Sequence, residues 1–434
     1  MSSLVRRRSR DTLVTLAGNA VAPAAALATA PILASGLGVV GRGEVAGATA
    51  PLLLAVSLAS LGLPSAVNHW VARHPALTRP LVGLGIATSV VVGVALTTAI
   101  ILTSRGFAAG DDDVARLIGL ASLALVPNLV AALLQAAAAG RHAWGFVATE
   151  RLLTNGLRLL GLGGAAVADA LSVDFAVGVI ALSPVVGALV YLPLLRLRKA
   201  PGHTVPPRAF LSYGLRVWLG ALAGVVLTRI DQVLLLPLAG ATALGLYAVA
   251  VSLGDIPLVV ANAVREVTFS RQSAATDASA LARTARLTGA AVSVTCAVIA
   301  AALPWLVPTL FGAAFTPAIS VTLVLLAGVA LSVPGSLAGV ALAAAGRPGL
   351  RSTSLALAAL CNVGLFVALA GPLGVHGAAL ATIGGTLVSN GLNLVFAHRV
   401  LQLDVRSFHG LRRSDLTVVQ ALLGRLLRRA RPTG

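Results

Sequence analysis

Apolar stretches long enough to cross a lipid bilayer recur along nearly the whole chain, with short polar gaps between them. A transmembrane helix needs about 20 mainly apolar residues, and by this rule the sequence predicts about twelve spans. We number these spans from first to twelfth. Their approximate cores are 13–35, 46–71, 80–103, 114–139, 147–168, 173–195, 213–238, 243–269, 285–308, 318–345, 351–371 and 375–398. The predicted fold class is therefore all-α, a polytopic membrane protein.

The arginines lie almost entirely in every second gap between the spans. Cytoplasmic loops of membrane proteins collect Lys and Arg, so this alternation places both termini in the cytoplasm. The arginines left on the outer side are Arg42, Arg105 and Arg116, together with several aspartates. Lys199 is the only lysine in a chain rich in Ala, Gly and Arg, which favours a bacterial source. We therefore predict a multi-pass protein of the bacterial cytoplasmic membrane.

The mean hydropathy of +0.94 and the 11% of charged residues exclude a soluble globule. A formal net charge of +18 is typical of nucleic-acid-binding proteins. Here the arginines sit at span ends and in the tail, where anionic lipids of the inner leaflet would hold them, so we predict membrane lipids as partners and no nucleic acid. Cys296 and Cys361 fall inside apolar spans as unpaired thiols, metal-ligand spacing is absent, and no cofactor is predicted.

The two halves of the chain resemble each other. AAAAGR at 136–141 recurs as LAAAGR at 342–347, and AVSL at 55–58 recurs at 250–253, both with an offset of about 200 residues. Each match carries a span onto the span six positions later, so two six-helix lobes in the same orientation are predicted, as in transporters built from parallel repeats. The predicted divisions are a basic N-terminus (1–11), a first lobe (12–195), a basic linker (196–210), a second lobe (211–398) and a basic tail with an amphipathic helix (399–434).

Four short motifs in the second half of the chain together indicate one family. Ile230–Asp231 in the seventh span is followed by GLYA at 245–248, LFGAAF occurs at 310–315, and GVHGAA occurs at 374–379. Their order and spacing resemble the polysaccharide-biosynthesis flippases of the multidrug/oligosaccharidyl-lipid/polysaccharide (MOP) exporter superfamily. In the first half, GRGEVAG at 41–47 has Val45 where that family commonly has Tyr. The resemblance covers roughly residues 12–400 and is weakest in the fifth and sixth spans.

This resemblance implies an alternating-access transporter that flips a polyprenyl-pyrophosphate-linked oligosaccharide across the membrane, and no enzymatic activity. It also implies a lipid-linked oligosaccharide as the substrate, a proton or sodium ion as a coupling ion, and glycan-synthesis proteins as partners. The lobes are expected to meet through the first, second, seventh and eighth spans.

Polar residues inside the spans give candidate site residues, because an ionisable group in the bilayer normally faces protein or a wet cavity. Arg151, Asn155 and Arg158 share one face of the fifth span. With Arg229 of the seventh span and Asn19 of the first, they predict a cationic cavity, since guanidinium groups match a pyrophosphate in charge and geometry. Alternatively, the asparagines form helix–helix hydrogen bonds.

Asp231 and Asp255 are the candidates for ion coupling, and Asp255 is the better of the two because it is expected near mid-membrane. The alternative is a permanent ion pair of Arg229 with Asp255 or Asp231 that holds two helices together.

Other functions remain open at this stage. A multidrug antiporter of the same superfamily would favour carboxylates in its cavity, which Asp231 and Asp255 would supply. A polysaccharide polymerase or ligase would need a large outer loop, and the outer loops here are short. A scaffold for envelope assembly is a further alternative. The peptidoglycan-precursor flippases also resemble this chain but usually carry two further spans.

Overall fold

The computed structural model describes residues 2–195, 206–274 and 277–410, together with Arg412 and Asp415; of residues 2–23 it describes the backbone. The described chain is almost entirely helical. Its α-helices are α1 (Ser2–Ala59), α2 (Leu63–Arg73), α3 (Thr78–Phe107), α4 (Asp112–Ser122), α5 (Leu125–Gly140), α6 (Trp144–Val167), α7 (Val173–Gly187), α8 (Leu192–Leu195), α9 (Pro207–Gly254), α10 (Ile256–Ala274), α11 (Ala278–Phe311), α12 (Ala318–Ala344) and α13 (Pro348–Leu401). Single 3₁₀ turns occupy Pro75–Leu77, Ala188–Tyr191, Ala313–Phe315 and Val405–Phe408.

Three of the long helices each run from one span into the next across a single glycine; the second span continues into α2 and the eighth into α10. The breaks are at Gly38 (φ 69°) in α1, Gly240 (φ 81°) in α9 and Gly374 (φ 55°) in α13. A positive φ is accessible to glycine at little cost, so the chain turns back without a longer loop. Gly38 and Gly240 separate the first two spans of each half at the offset of about 200 residues seen in the sequence repeat, which supports the two-lobe arrangement.

Eight helical segments of the described chain are long and apolar enough to cross a membrane. The three glycine breaks divide three of these segments into two spans each. The fifth span, α6, has 24 residues but carries Glu150, Arg151 and Arg158, so its apolar character is lower. Together these helices account for the twelve predicted spans, and the predicted all-α, polytopic fold class is confirmed.

Two helices, α4 and α7, begin at capping side chains that stand outside the apolar stretches. The Asp111 carboxylate accepts hydrogen bonds from the backbone N–H groups of Asp113 (2.9 Å) and Val114 (3.0 Å). The Ser172 hydroxyl accepts one from the N–H of Phe175. Such caps satisfy N–H groups that the first helical turn leaves free, so these residues fix where α4 and α7 start.

Two arginines that break the charge asymmetry are neutralised by neighbouring aspartates. Arg105 lies 3.1 Å from Asp112, and Arg116 lies 2.6 Å from Asp174. Both pairs are exposed, so each contributes little to stability, but the paired arginines add no net positive charge to the side on which they stand. They therefore do not weaken the predicted orientation, which remains a prediction.

The two halves pack together through α1 and α9, which carry the first, second, seventh and eighth spans. Leu33 and Val45 of α1 belong to the same buried apolar cluster as Leu236 and Leu244 of α9. This is the contact between lobes that the sequence predicts.

The halves approach closely where residues 39–43, just after the break at Gly38, cross residues 241–245, just after the break at Gly240, and we call this contact the outer crossing. A Cβ atom built on Gly43 would collide with the carbonyl oxygen of Ala241, and one built on Gly245 would collide with that of Val39. Small residues allow this close backbone packing in membrane proteins.

The segment after the twelfth span folds back onto the start of the ninth. The guanidinium of Arg286 donates two hydrogen bonds to the Asp415 carboxylate, at 2.6 and 2.8 Å, and a third to the carbonyl oxygen of Ser407 at 2.7 Å. Both charged side chains are buried, and so is Phe408. The predicted amphipathic tail helix and most of the 196–210 linker lie outside the described residues, and the predicted domain divisions stay predictions.

Candidate functional site

Two candidate site residues, Asp231 and Asp255, line one cavity of about 180 Å³ in the second lobe. Its walls come from the seventh, eighth, tenth and twelfth spans. The polar side chains among them are those of Thr228, Asp231, Tyr247, Asp255, Ser332, Thr382 and Thr386. The rest of the lining is apolar or glycine, so the polar groups are gathered in an otherwise hydrophobic interior.

Asp231 is the buried centre of this cavity. Its side chain is 5% exposed, and Tyr247 donates a hydrogen bond of 2.6 Å to its Oδ2 atom. The backbone N–H of Gln232 donates to Oδ1 at 2.8 Å. The Tyr247 hydroxyl also lies 3.0 Å from that of Thr382, which donates in turn to the carbonyl oxygen of Ala378 at 3.1 Å. The network thus connects the seventh, eighth and twelfth spans.

The predicted alternative for Arg229 was an ion pair with Asp231 or Asp255. Ion pairs within 4 Å among the described residues do not include Arg229, and the Arg229 side chain is exposed whereas Asp231 is buried. Arg229 remains close enough for its charge to act on both carboxylates. A permanent ion pair of Arg229 therefore does not hold these helices together.

Asp255 differs from Asp231 in its surroundings. It sits at the junction of α9 and α10, where its backbone N–H bonds to the carbonyl oxygens of Val251 and Leu253. Its side chain is exposed on the open side of the cavity. The sequence favoured Asp255 as the coupling residue, but Asp231 is the more enclosed carboxylate.

The other candidates lie in the first lobe. Arg158 donates hydrogen bonds to the carbonyl oxygen of Ile180 (3.2 Å) and to the Ser183 hydroxyl (3.3 Å), both on the sixth span. Its Nε atom is buried without a partner among the described residues. One terminal nitrogen of this guanidinium is thus engaged by a neighbouring helix. Arg158 is not among the residues lining the cavity of Asp231.

Asn155 is buried and donates to the carbonyl oxygen of Arg151, one turn earlier in its own helix, at 2.8 Å. It therefore makes an intrahelical hydrogen bond rather than the helix–helix bond considered for it. The side chain of Asn19 lies outside the described residues. Whether Arg151, Asn155, Arg158, Arg229 and Asn19 bind substrate stays a prediction.

Charge-based reasoning missed three polar residues in the second lobe. Tyr247 belongs to the motif at 245–248, so the family resemblance contained the signal, but the search for ionisable groups passed over it. Thr382 looks like an ordinary small polar residue in the sequence. Asn362 is fully buried with both side-chain polar atoms unpartnered among the described residues, and it lies beside Gly385 of the twelfth span.

The first lobe also contains a buried carboxylate, that of Glu150. Its two oxygens accept hydrogen bonds of 2.8 Å from the side chains of Gln135 and Thr154. Glu150 is 8% exposed and is close to Tyr191, which is fully buried. These contacts join the fourth and fifth spans at the end opposite the outer crossing.

The sequence profile of a family described as polysaccharide biosynthesis protein matches residues 9–271, which is more than half of the chain. The chain belongs to this family. The match includes the first lobe and the seventh and eighth spans, and so includes Asp231, Tyr247 and Asp255. No curated protein matches the chain at a significant level.

Solved structures share the fold of this family member at low sequence identity. An inward-facing multidrug resistance MATE transporter of the MOP superfamily aligns with a TM-score of 0.72 and 17% identity, covering 88% of this chain and 95% of the transporter. The lipid II flippase MurJ, in an inward closed conformation, aligns with a TM-score of 0.72 and 13% identity, covering 92% and 88%. A eukaryotic MATE transporter aligns with a TM-score of 0.56 and 15% identity, covering 89% and 96%. The chain therefore shares the fold of these transporters.

Proposed function

We propose that this protein flips a polyprenyl-pyrophosphate-linked oligosaccharide, a precursor of surface polysaccharide, across the bacterial cytoplasmic membrane. The observation that carries the proposal is the family match over residues 9–271. The similarity in fold to a lipid flippase supports it further. Both termini face the cytoplasm in this proposal, as the arginine distribution indicates.

Alternating access is the mechanism that the architecture favours. The two lobes touch along α1 and α9, and their backbones come close both at the outer crossing and where Gly62 of the second span meets Gly214 of the seventh. In this proposal the lobes move as two rigid bodies and separate at one of these two contacts at a time. The substrate headgroup would then pass between the lobes while its polyprenyl tail stays in the lipid.

Asp231 is the proposed coupling residue. A buried carboxylate without a cationic partner is costly unless it is protonated or binds a cation, and Asp231 has no ion-pair partner among the described residues. Binding of a proton or a sodium ion would neutralise it and change what Tyr247 and Thr382 contact. Asp231→Asn removes this charge while keeping the shape, so we expect a protein that inserts normally but transports independently of any ion gradient.

The test is reconstitution of the purified protein in vesicles with a fluorescent lipid-linked oligosaccharide. Flipping exposes the label on the outer leaflet to an impermeant quencher, and imposed proton and sodium gradients are compared. The proposal predicts protein-dependent quenching of the pyrophosphate-linked glycan, and gradient dependence that Asp231→Asn abolishes. No quenching above protein-free vesicles would refute the flippase function. Gradient dependence that persists in Asp231→Asn would refute only the role of Asp231.

A multidrug antiporter is the second candidate, because MATE transporters share the fold and the second-lobe cavity contains two carboxylates but no arginine. Such a cavity favours cationic drugs. The same vesicles, loaded with a fluorescent cationic dye, distinguish the two functions. Gradient-driven dye movement without flipping of the glycan lipid would support the antiporter.

A further inference from the structure

A second cavity of about 710 Å³ lies at the end of the second lobe that the arginine distribution assigns to the cytoplasm. It is formed where the inner ends of the seventh, tenth and eleventh spans meet. Tyr213, Arg216, Ala343, Pro348, Arg351 and Ser352 are among its lining residues. We call it the inner groove. Unlike the cavity of Asp231, it contains two arginines and no acidic residue.

The two arginines of the inner groove lack carboxylate partners among the described residues. Arg216 donates from Nε to the carbonyl oxygen of Ser212, one turn earlier, at 3.1 Å. Arg351 is half-buried. The guanidinium of Arg265 on the eighth span is close enough to repel that of Arg351, and Glu266 offsets the Arg265 charge in part. Arg216 is exposed. Positive charges that line one cavity without a carboxylate raise the local concentration of anions there.

The chain itself offers almost no counter-charge for this groove. It contains 14 acidic residues, and all of them except Asp11 have described side chains, none of which lines the groove. Asp11 follows four arginines within the segment 6–10, so that segment is positive overall. A bound anion is therefore the remaining source of neutralisation.

The position of the inner groove connects it with the interior of the second lobe. Arg216, Gly220 and Gly224 follow one another at single-turn intervals on the seventh span, and Thr228 and Asp231 continue the same face. The Ser352 hydroxyl lies 3.5 Å from the carbonyl oxygen of Gly220, so the eleventh span packs beside this face. The groove thus lies on the same span as the buried carboxylate, about four helical turns nearer the end assigned to the cytoplasm.

From these observations we propose that the inner groove binds the pyrophosphate of the lipid carrier before transport, with Arg216 and Arg351 as its ligands. Guanidinium groups bind phosphate oxygens through paired hydrogen bonds, and a cavity of this size accommodates a pyrophosphate with its first sugar. The inference rests on the proposed function, since it names the entry site for the same substrate. Ordinary phospholipids carry a single phosphate and are expected to bind more weakly.

The test measures binding of a polyprenyl pyrophosphate to the purified full-length protein by native mass spectrometry. The dephosphorylated polyprenol and phosphatidylglycerol serve as comparison lipids, and inorganic pyrophosphate serves as a competitor. Arg216→Gln/Arg351→Gln should weaken binding of the polyprenyl pyrophosphate at least tenfold, and Arg351→Lys less, because lysine lacks the bidentate geometry. The control is Arg399→Gln, which removes the same charge from an exposed position at the same end of the lobe.

Equal binding of the polyprenyl pyrophosphate by the double variant and the control would overturn the proposal. Binding of phosphatidylglycerol as tight as that of the polyprenyl pyrophosphate would also overturn it. If the double variant does not fold, competition by inorganic pyrophosphate against the wild-type protein decides the matter, and absence of competition refutes the site. Glycan flipping that persists in a double variant with weakened binding would remove the groove from the transport route while leaving the flippase function intact. Pyrophosphate binding without glycan flipping by the wild type would refute the function and leave the site.

Discussion

Replacing Gly245 with alanine tests whether the outer crossing closes the transport path. A Cβ atom at this position would collide with the carbonyl oxygen of Val39 and lie 3.2 Å from the backbone nitrogen of Gly43. Non-bonded atoms normally sit about 3.5–4.0 Å apart, so the two helices would have to separate by roughly 1 Å or more. The collision is with backbone, which cannot turn away as a flexible side chain can.

The expected size of the effect follows from this overpacking. Extra methyl groups in a tightly packed site cost about 1–3 kcal/mol, and here the cost falls only on the state in which the crossing is closed. A penalty of this size shifts the equilibrium between closed and open states by roughly 5-fold to 150-fold. Gly245→Ala should therefore favour the outward-open state and slow transport, and Gly245→Val should do so more strongly.

The assay uses a single cysteine at Ser332, which lines the cavity of Asp231, in a protein whose native Cys296 and Cys361 have been replaced. Labelling by an impermeant thiol reagent from outside intact cells should increase in Gly245→Ala. Gly391→Ala is the matched control, because a Cβ there meets no atom within 4 Å. If Gly245→Ala labels and transports like Gly391→Ala, the outer crossing is not a gate.

Three further predictions concern topology, the cationic cavity and the end of the chain. In the same cysteine-free protein, a cysteine at Ala109 should label with an impermeant reagent in intact cells and one at Ser273 should not; the reverse would invert the orientation. Arg158→Ala should lower glycan export without preventing insertion, and full export at normal protein level would exclude it from the substrate site. Because the hydrogen bonds from Arg286 lower the pKa of Asp415 to about 2, their pair stabilises the folded protein at neutral pH and loses this contribution as pH falls from about 4 toward 2. Arg286→Ala should therefore lower the midpoint of thermal unfolding at pH 7, with a difference from wild type that shrinks below pH 4; a difference independent of pH would contradict the assignment.

The sequence predicted the spans well because each must satisfy the same requirement for apolar length. It also predicted that the first, second, seventh and eighth spans pack together. It did not predict that a single residue, Gly240, suffices to turn the chain between two spans, since hydropathy does not report backbone conformation. The glycine was visible, but glycines are frequent throughout these helices.

The candidate site was harder to predict for physical reasons. Periodicity placed Arg158 on a polar face, but only the structure shows that this face meets the carbonyl oxygen of Ile180. The burial of Asp231 depends on Tyr247 and Thr382, which come from other spans, and no local pattern records such contacts. Arg216 and Arg351 looked like ordinary basic residues at span ends, and their shared groove emerges only when distant helices pack side by side.

The buried pair of Arg286 and Asp415 has a consequence for measuring motion. It fixes the segment after the twelfth span to the ninth, within one lobe, so a spectroscopic probe at the exposed Arg412 reports the position of that lobe rather than of a free tail. A second probe at the exposed Arg73, the last residue of α2, would allow the distance between the two halves to be measured. The distribution of distances between the two probes would then give the populations of the different arrangements of the two halves.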